Sequence, residues 1–133
     1  MKYLLDTNVC IGYINGRSPQ LRNRLAAAPR REVGVSTITK AEMFYGSAKS
    51  QLSLQSRRQQ LEFLKTVLSV PFDDAAALVY GTLRVKLEQK GTPIGAHDML
   101  IAATALANNL ILVTHNLKEF GRVDGLDIED WEI

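Results

Sequence analysis

Three segments of this 133-residue chain place a carboxylate or an amide beyond a short apolar run, and a fourth places one at the head of a long apolar stretch. Asp6-Thr7-Asn8 follows Tyr3-Leu4-Leu5, and Glu42 lies on the helical pattern after Val33-Gly34-Val35-Ser36. His97-Asp98 opens a nearly all-apolar stretch, and Thr114-His115-Asn116 follows Leu110–Val113. If the apolar runs are strands of one parallel sheet, Asp6, Glu42 and Asp98 converge at its carboxyl edge, with Asn116 beside them. That edge is where open α/β sheets hold their working crevice. Two carboxylates ~4 Å apart at an effective dielectric of ~20 repel by about 4 kcal/mol. Three together raise one another's pKa unless a cation sits between them. Oxygen-only sites of this kind suit Mg²⁺ or Mn²⁺. Such an ion polarises a phosphate, generates hydroxide and stabilises a leaving alkoxide, which is a recipe for phosphodiester hydrolysis.

Each residue alone has a plainer reading. Asp6 is placed to cap the helix that follows it, and Glu42 to be a solvated helix charge. Asp98 suits the first turn of a helix, where the macrodipole favours an acid. Asn116 is an ordinary turn residue after a strand. His97 and His115 are too far apart for a zinc motif and read as hydrogen-bonded loop or cap residues. Cys10 reads as core, and Arg57-Arg58 as a solvated helix face.

The elements that must position these residues alternate. Tyr3–Leu5, Val33–Ser36 and Leu110–Val113 are strand candidates, and Leu126–Ile128 is a final edge strand. Val9–Ile14 reads as a helix ended by Gly16, and a second helix starts near Pro19 and reaches Ala28. Thr37 is placed to cap a helix over 39–48. Leu61, Leu64 and Leu68 recur at helical spacing within a long helix over 51–68. Val70-Pro71-Phe72 is extended. Asp73 caps a helix that carries Val79, Leu83 and Leu87 on one face and stops at Gly91. His97–Asn108 is a buried helix. This order predicts one α/β domain over 1–133 with a mostly parallel sheet and helices on both faces.

Composition agrees with a globular enzyme or binding domain: 46% apolar and 23% charged, with a net charge of only +2. The charge is unevenly spread. Residues 1–65 carry eleven basic and four acidic side chains, and residues 66–133 carry five and ten. A positive region is thus available for an anionic partner. The single cysteine excludes an intramolecular disulfide, in keeping with a reducing compartment. Asp6 interrupts the first apolar run and no run approaches the roughly 20 residues a membrane span needs. The expectation is a soluble cytoplasmic protein.

Tyr3-Leu4-Leu5-Asp6-Thr7-Asn8, the Glu42 helix from Ser36, His97-Asp98-Met99-Leu100-Ile101-Ala102-Ala103 and Leu112-Val113-Thr114-His115-Asn116 together resemble the PIN domain. Their order, the length of the chain and the ending Phe120–Trp131 resemble the VapC-type toxins of bacterial toxin–antitoxin modules. The resemblance implies a three-layer α/β/α fold with four or five strands. It also implies a Mg²⁺- or Mn²⁺-dependent endoribonuclease that cuts structured RNA such as tRNA, leaving a 3′-hydroxyl and a 5′-phosphate. By position, the catalytic set falls on Asp6, Glu42, Asp98 and Asn116, with Asp6, Asp98 and Glu42 as metal ligands. Asn8 and Thr114 are implied as supporting groups. Asn116 departs from relatives with a fourth Asp, and Glu119, one helical turn on, is placed to compensate. Partners implied are a VapB-type antitoxin, which brings indirect DNA binding, and a second copy of the chain. Arg17, Arg22, Arg24 and Lys40 are candidates to hold the RNA backbone, a role that gives affinity without sequence choice.

Two rival readings remain open on sequence. A phosphorelay receiver domain has this size and also uses acids to bind Mg²⁺, but needs an acidic pair after its first strand. Here the pair, Asp73-Asp74, follows Val70–Phe72 instead. A PIN-like fold that only binds RNA or protein is the other.

Overall fold

The computed structural model describes residues 1–133. Five short strands form one sheet in the order β3-β2-β1-β4-β5, every neighbouring pair parallel. They are β1 (Tyr3–Leu5), β2 (Val33–Ser36), β3 (Leu68–Val70), β4 (Ile111–Val113) and β5 (Ile128–Glu129). The order reverses at β1, so the gap between β1 and β4 is the topological switch point, where such sheets open a crevice.

The helices are α1 (Thr7–Ile14), α2 (Pro19–Ala27), α3 (Thr37–Ala48), α4 (Ser53–Leu64), α5 (Asp74–Lys90), α6 (Ala96–Ala107) and the single turn α7 (Leu117–Phe120). Successive strand residues point to opposite faces, and two cores result. Leu4 and Leu112 join the α5–α6 side, with Leu83, Leu87 and Ile101. Their neighbours Leu5 and Val113 join Val9, Leu21, Met43 and Phe63 on the side of α1 to α4. The expected three layers are therefore present, and the sheet is wholly rather than mostly parallel. No helix is long and apolar enough to cross a membrane.

Local chemistry sets the boundaries. Asp73 caps α5, its Oδ1 accepting from Ala76 N at 3.0 Å, and Gly91 ends it at φ +67°. Thr37 does not cap α3. Ser36 does, accepting from Thr39 N at 3.0 Å, while Thr37 Oγ1 accepts from Phe72 N and ties the exit of β3 to the start of α3. The long helix expected over 51–68 is also shorter. It ends at Leu64, and Leu68 pairs with Gly34 as the first residue of β3. The Leu64–Leu68 spacing mimics a helix, but pairing with β2 overrides it. The strand then stops before Pro71, which has no N–H to give a ladder.

Candidate active site

Asp6 stands at the carboxyl end of β1 and is only 3% exposed. Its Oδ1 accepts from Val9 N at 2.8 Å and so caps α1; its Oδ2 accepts from Thr114 Oγ1 at 2.6 Å. Both readings of Asp6 therefore hold at once: it is a helix cap and a carboxylate facing the switch point. Burial pushes its pKa up against the pull of those two hydrogen bonds, and the nearby Glu132 carboxylate adds to the rise. Thr114 is itself fully buried at the end of β4 and also accepts from Asn116 N at 2.9 Å.

Asp98 lies in the first turn of α6. Its carboxyl is pushed up to about 6, first by burial and then by repulsion from Glu119, Asp6 and Glu42, with His97 opposing. That list is the electrostatic map of the site: the sheet order and the three helices α3, α6 and α7 bring four acids from distant parts of the chain into one another's fields. Like charges keep apart, and no three of these carboxylates approach within 4.8 Å of one another.

Glu42 is held by two donors. Thr7 Oγ1 reaches its Oε1 at 2.5 Å, and His97 Nδ1 lies 3.1 Å from its Oε2. Thr7 in turn sits 3.0 Å from Thr39 Oγ1, so the hydroxyls of α1 and α3 buttress each other. Asn116 works on the far side. Its Nδ2 donates to Glu119 Oε2 at 2.7 Å and its Oδ1 accepts from Glu119 N at 3.3 Å, a reciprocal cap that fixes Glu119 beside Asp98. Asn116 thus acts here as a holder of an acid.

The structure gathers Asp6, Glu42, Asp98, Asn116, Thr114 and Glu119 at one edge. It does not bring in Asn8, whose side chain is exposed and makes no hydrogen bond to the acids; only its carbonyl is engaged, by Arg17. The support that the sequence reading sought in Asn8 comes from Thr7, one position earlier. A residue just after the cap points its side chain back into the crevice, whereas the next turns away along α1. His97 was legible as a hydrogen-bonded residue, but its partner Glu42 is 55 positions away.

Of the four basic candidates, two are committed elsewhere. Arg17 bonds Glu132 through two nitrogens at 3.0 and 2.9 Å, and Arg24 pairs with Glu129 and lies over the Trp131 ring at 5.0 Å. Together they fasten the C-terminal segment across α1 and α2. Close by, ligand atoms of His115, Asp130 and Glu132 lie within 4.8 Å of one another, but Asp130 already binds His115 at 2.8 Å and Glu132 binds Arg17. Cys10 is fully buried, and burial drives its thiol pKa well up, which removes it as a nucleophile.

The donor set is made of carboxylates, an amide and hydroxyls, with nothing soft. It carries negative charge that adds to burial in raising the proton affinity of Asp98. Both properties fit a small hard dication such as Mg²⁺ or Mn²⁺.

Comparison with known proteins identifies the family. The family model described as PIN domain matches residues 3–126. The chain is 40% identical over 133 residues to Ribonuclease VapC2 of Rickettsia felis, covering 99% of each chain. It is 37% identical over 131 residues to the tRNA(fMet)-specific endonuclease VapC of Salmonella typhimurium, covering 98% of each. Among solved structures it superposes on the VapBC2 complex of Rickettsia felis bound to a promoter DNA fragment, with a TM-score of 0.93 at 38% identity over 98% of this chain and 99% of the other. DNA-bound VapBC of Salmonella typhimurium gives 0.94 at 37% identity over 98% of each.

Proposed function

This chain belongs to the PIN-domain family, and from that premise we propose that it is the toxin ribonuclease of a VapBC-type pair, cutting structured RNA of the tRNA class with the help of Mg²⁺ or Mn²⁺. The observation that carries the metal-dependent part is the convergence of Asp6, Glu42, Asp98 and Glu119 on the β1/β4 edge, with Asp98 raised to about 6 first by burial and then by the other three acids. The full-length match to VapC ribonucleases carries the substrate class and the partner.

Asp6 and Asp98 would hold the ion. When bound, such an ion polarises the phosphate and neutralises charge building on the departing oxygen. Thr114 keeps one oxygen of Asp6 fixed and favours its charged form against the pull of burial. Glu42, gripped by Thr7 and His97, keeps free lone pairs with which to orient the attacking water or to hold the ion through water. Glu119, fixed by Asn116, supplies the negative charge that Asn116 lacks. In-line attack then leaves a 3′-hydroxyl and a 5′-phosphate. The pair partner is a VapB-type antitoxin that answers the acidic site with a basic side chain and carries the DNA contacts; the toxin itself pairs as a homodimer in the cytoplasm.

End-labelled tRNA incubated with the purified chain tests this. Cleavage is expected with Mn²⁺, none with EDTA, and none with Asp98→Asn. Cleavage that survives EDTA or the substitution contradicts the metal role. No cleavage across a broad set of RNAs favours the rival, a PIN-like binding module.

A further inference from the structure

A cleft of about 240 Å³ opens beside Glu42, between α1 on one side and α3 and α4 on the other. Ile11 and Met43 give it apolar walls. Asn15, Ser47, Gln59 and Gln60 give it neutral hydrogen-bonding groups, and Glu42 is its only charged residue. Two features of this cleft have no explanation in the folding of the chain.

The first is Gly46, which also lines it. Glycine has a low helix propensity, and Gly46 occupies the last turn of α3, two residues before its end at Ala48. A Cβ placed there would meet nothing within 4 Å, so no close packing demands glycine. What its bare backbone does is keep the cleft wide. The second is Gln60. Its Nε2 donates to Met43 O at 2.8 Å, but its Oε1 is buried without a partner. Buried acceptors are nearly always satisfied, so a small turn of this amide at the cleft wall would offer an acceptor to an incoming N–H.

We infer that this cleft receives a nucleobase of the RNA next to the scissile phosphate, with Gly46 leaving room for the ring and Gln60 reading its N–H edge. The inference rests on the ribonuclease reading of the Glu42 site. A flat, neutral ligand with apolar faces and donor-rich edges matches the lining, and a phosphate does not, because the cleft holds no cation. Splayed single-stranded bases are the usual target of sequence-specific RNA recognition, held by apolar faces and edge hydrogen bonds. Continuity with Glu42 fixes which base: one flanking the cut.

The test uses the RNA that the wild-type chain cuts, remade with an abasic nucleotide at each position flanking the cut, together with Gly46→Leu and Gln60→Met. Wild type should lose about tenfold in kcat/KM at one abasic position, the combined worth of the lost apolar contact and edge hydrogen bond. Gly46→Leu should cut intact RNA about tenfold more slowly and be indifferent to the abasic change, while melting no lower than wild type. Gln60→Met should narrow the preference among bases at that position. Wild-type cutting that ignores both abasic positions overturns the inference alone. A chain that cuts no RNA at all overturns the reading beneath it. If Gly46→Leu leaves RNA kinetics intact and weakens only the binding of a protein partner, the cleft is a protein-docking site and the inference is wrong.

Discussion

Thr114 Oγ1 donates to Asp6 Oδ2 over 2.6 Å, joining the ends of β4 and β1 across 108 positions of the chain. The bond is buried, and it favours the charged form of an acid whose pKa burial pushes up. Thr114→Val keeps the shape and deletes the donor. Groups that orient a metal ligand are typically worth about 10- to 100-fold in affinity or activity. We expect a loss in that range in both Mn²⁺ affinity and cleavage, with Thr114→Ser restoring most of it. A valine variant as active as wild type would show that the bond serves only the fold.

Asp98 makes the site costly without a cation. Its folded pKa of about 6 lies above the ordinary 3.8, so the folded chain holds this proton more tightly than the unfolded one. With EDTA present, stability should therefore fall as pH rises from about 4 to 6, and the full cost applies above that. Asp98→Asn should stabilise the metal-free protein at pH 7 by about 1 kcal/mol, the figure being discounted for partial solvent screening. Thermal melting would show this as a rise of a few degrees. Manganese binding should run the other way, strong above pH 6 and weakening as pH drops through it. Melting of the variant unchanged or lower at pH 7 would mean that the acids are already compensated.

Gly12 and Arg17 form a further couple. A Cβ at Gly12 would clash with the Arg17 guanidinium, so the bare helix surface lets that group cross α1 to reach Glu132 and the Asn8 carbonyl. Gly12→Ala must displace it, and should cost about as much as Arg17→Ala, on the order of 1 kcal/mol for a pair with one member exposed. The two changes combined should cost little more than either alone. Additive losses in denaturant melts would separate them.

Much of this was legible before any coordinates. Tyr3–Leu5 and Val33–Ser36 read as strands because short apolar runs bounded by polar residues leave few alternatives, and the strand-to-helix order then fixes which edge Asp6 and Asp98 share. Leu68 was misread because its helical spacing from Leu64 is a local signal, whereas its pairing with Gly34 is not. Thr7 and Asn8 have equal claims as polar residues after Asp6. Only the phase of α1 tells them apart, sending Thr7 to Glu42 and Asn8 to solvent. Glu119 was placed by its distance from Asn116 along the chain, yet its coupling to Asp98 depends on α6 and α7 meeting, which no spacing reveals.

The most direct test of the central claim is titration calorimetry of Mn²⁺ into the metal-free chain at pH 7.5, beside Asp6→Ala and Glu119→Gln. We expect a saturable heat for wild type, none for Asp6→Ala, and a weaker one for Glu119→Gln. Wild-type protein that gives no heat, or an Asp6→Ala variant that titrates like wild type, would contradict the claim that these acids form one site for a dication.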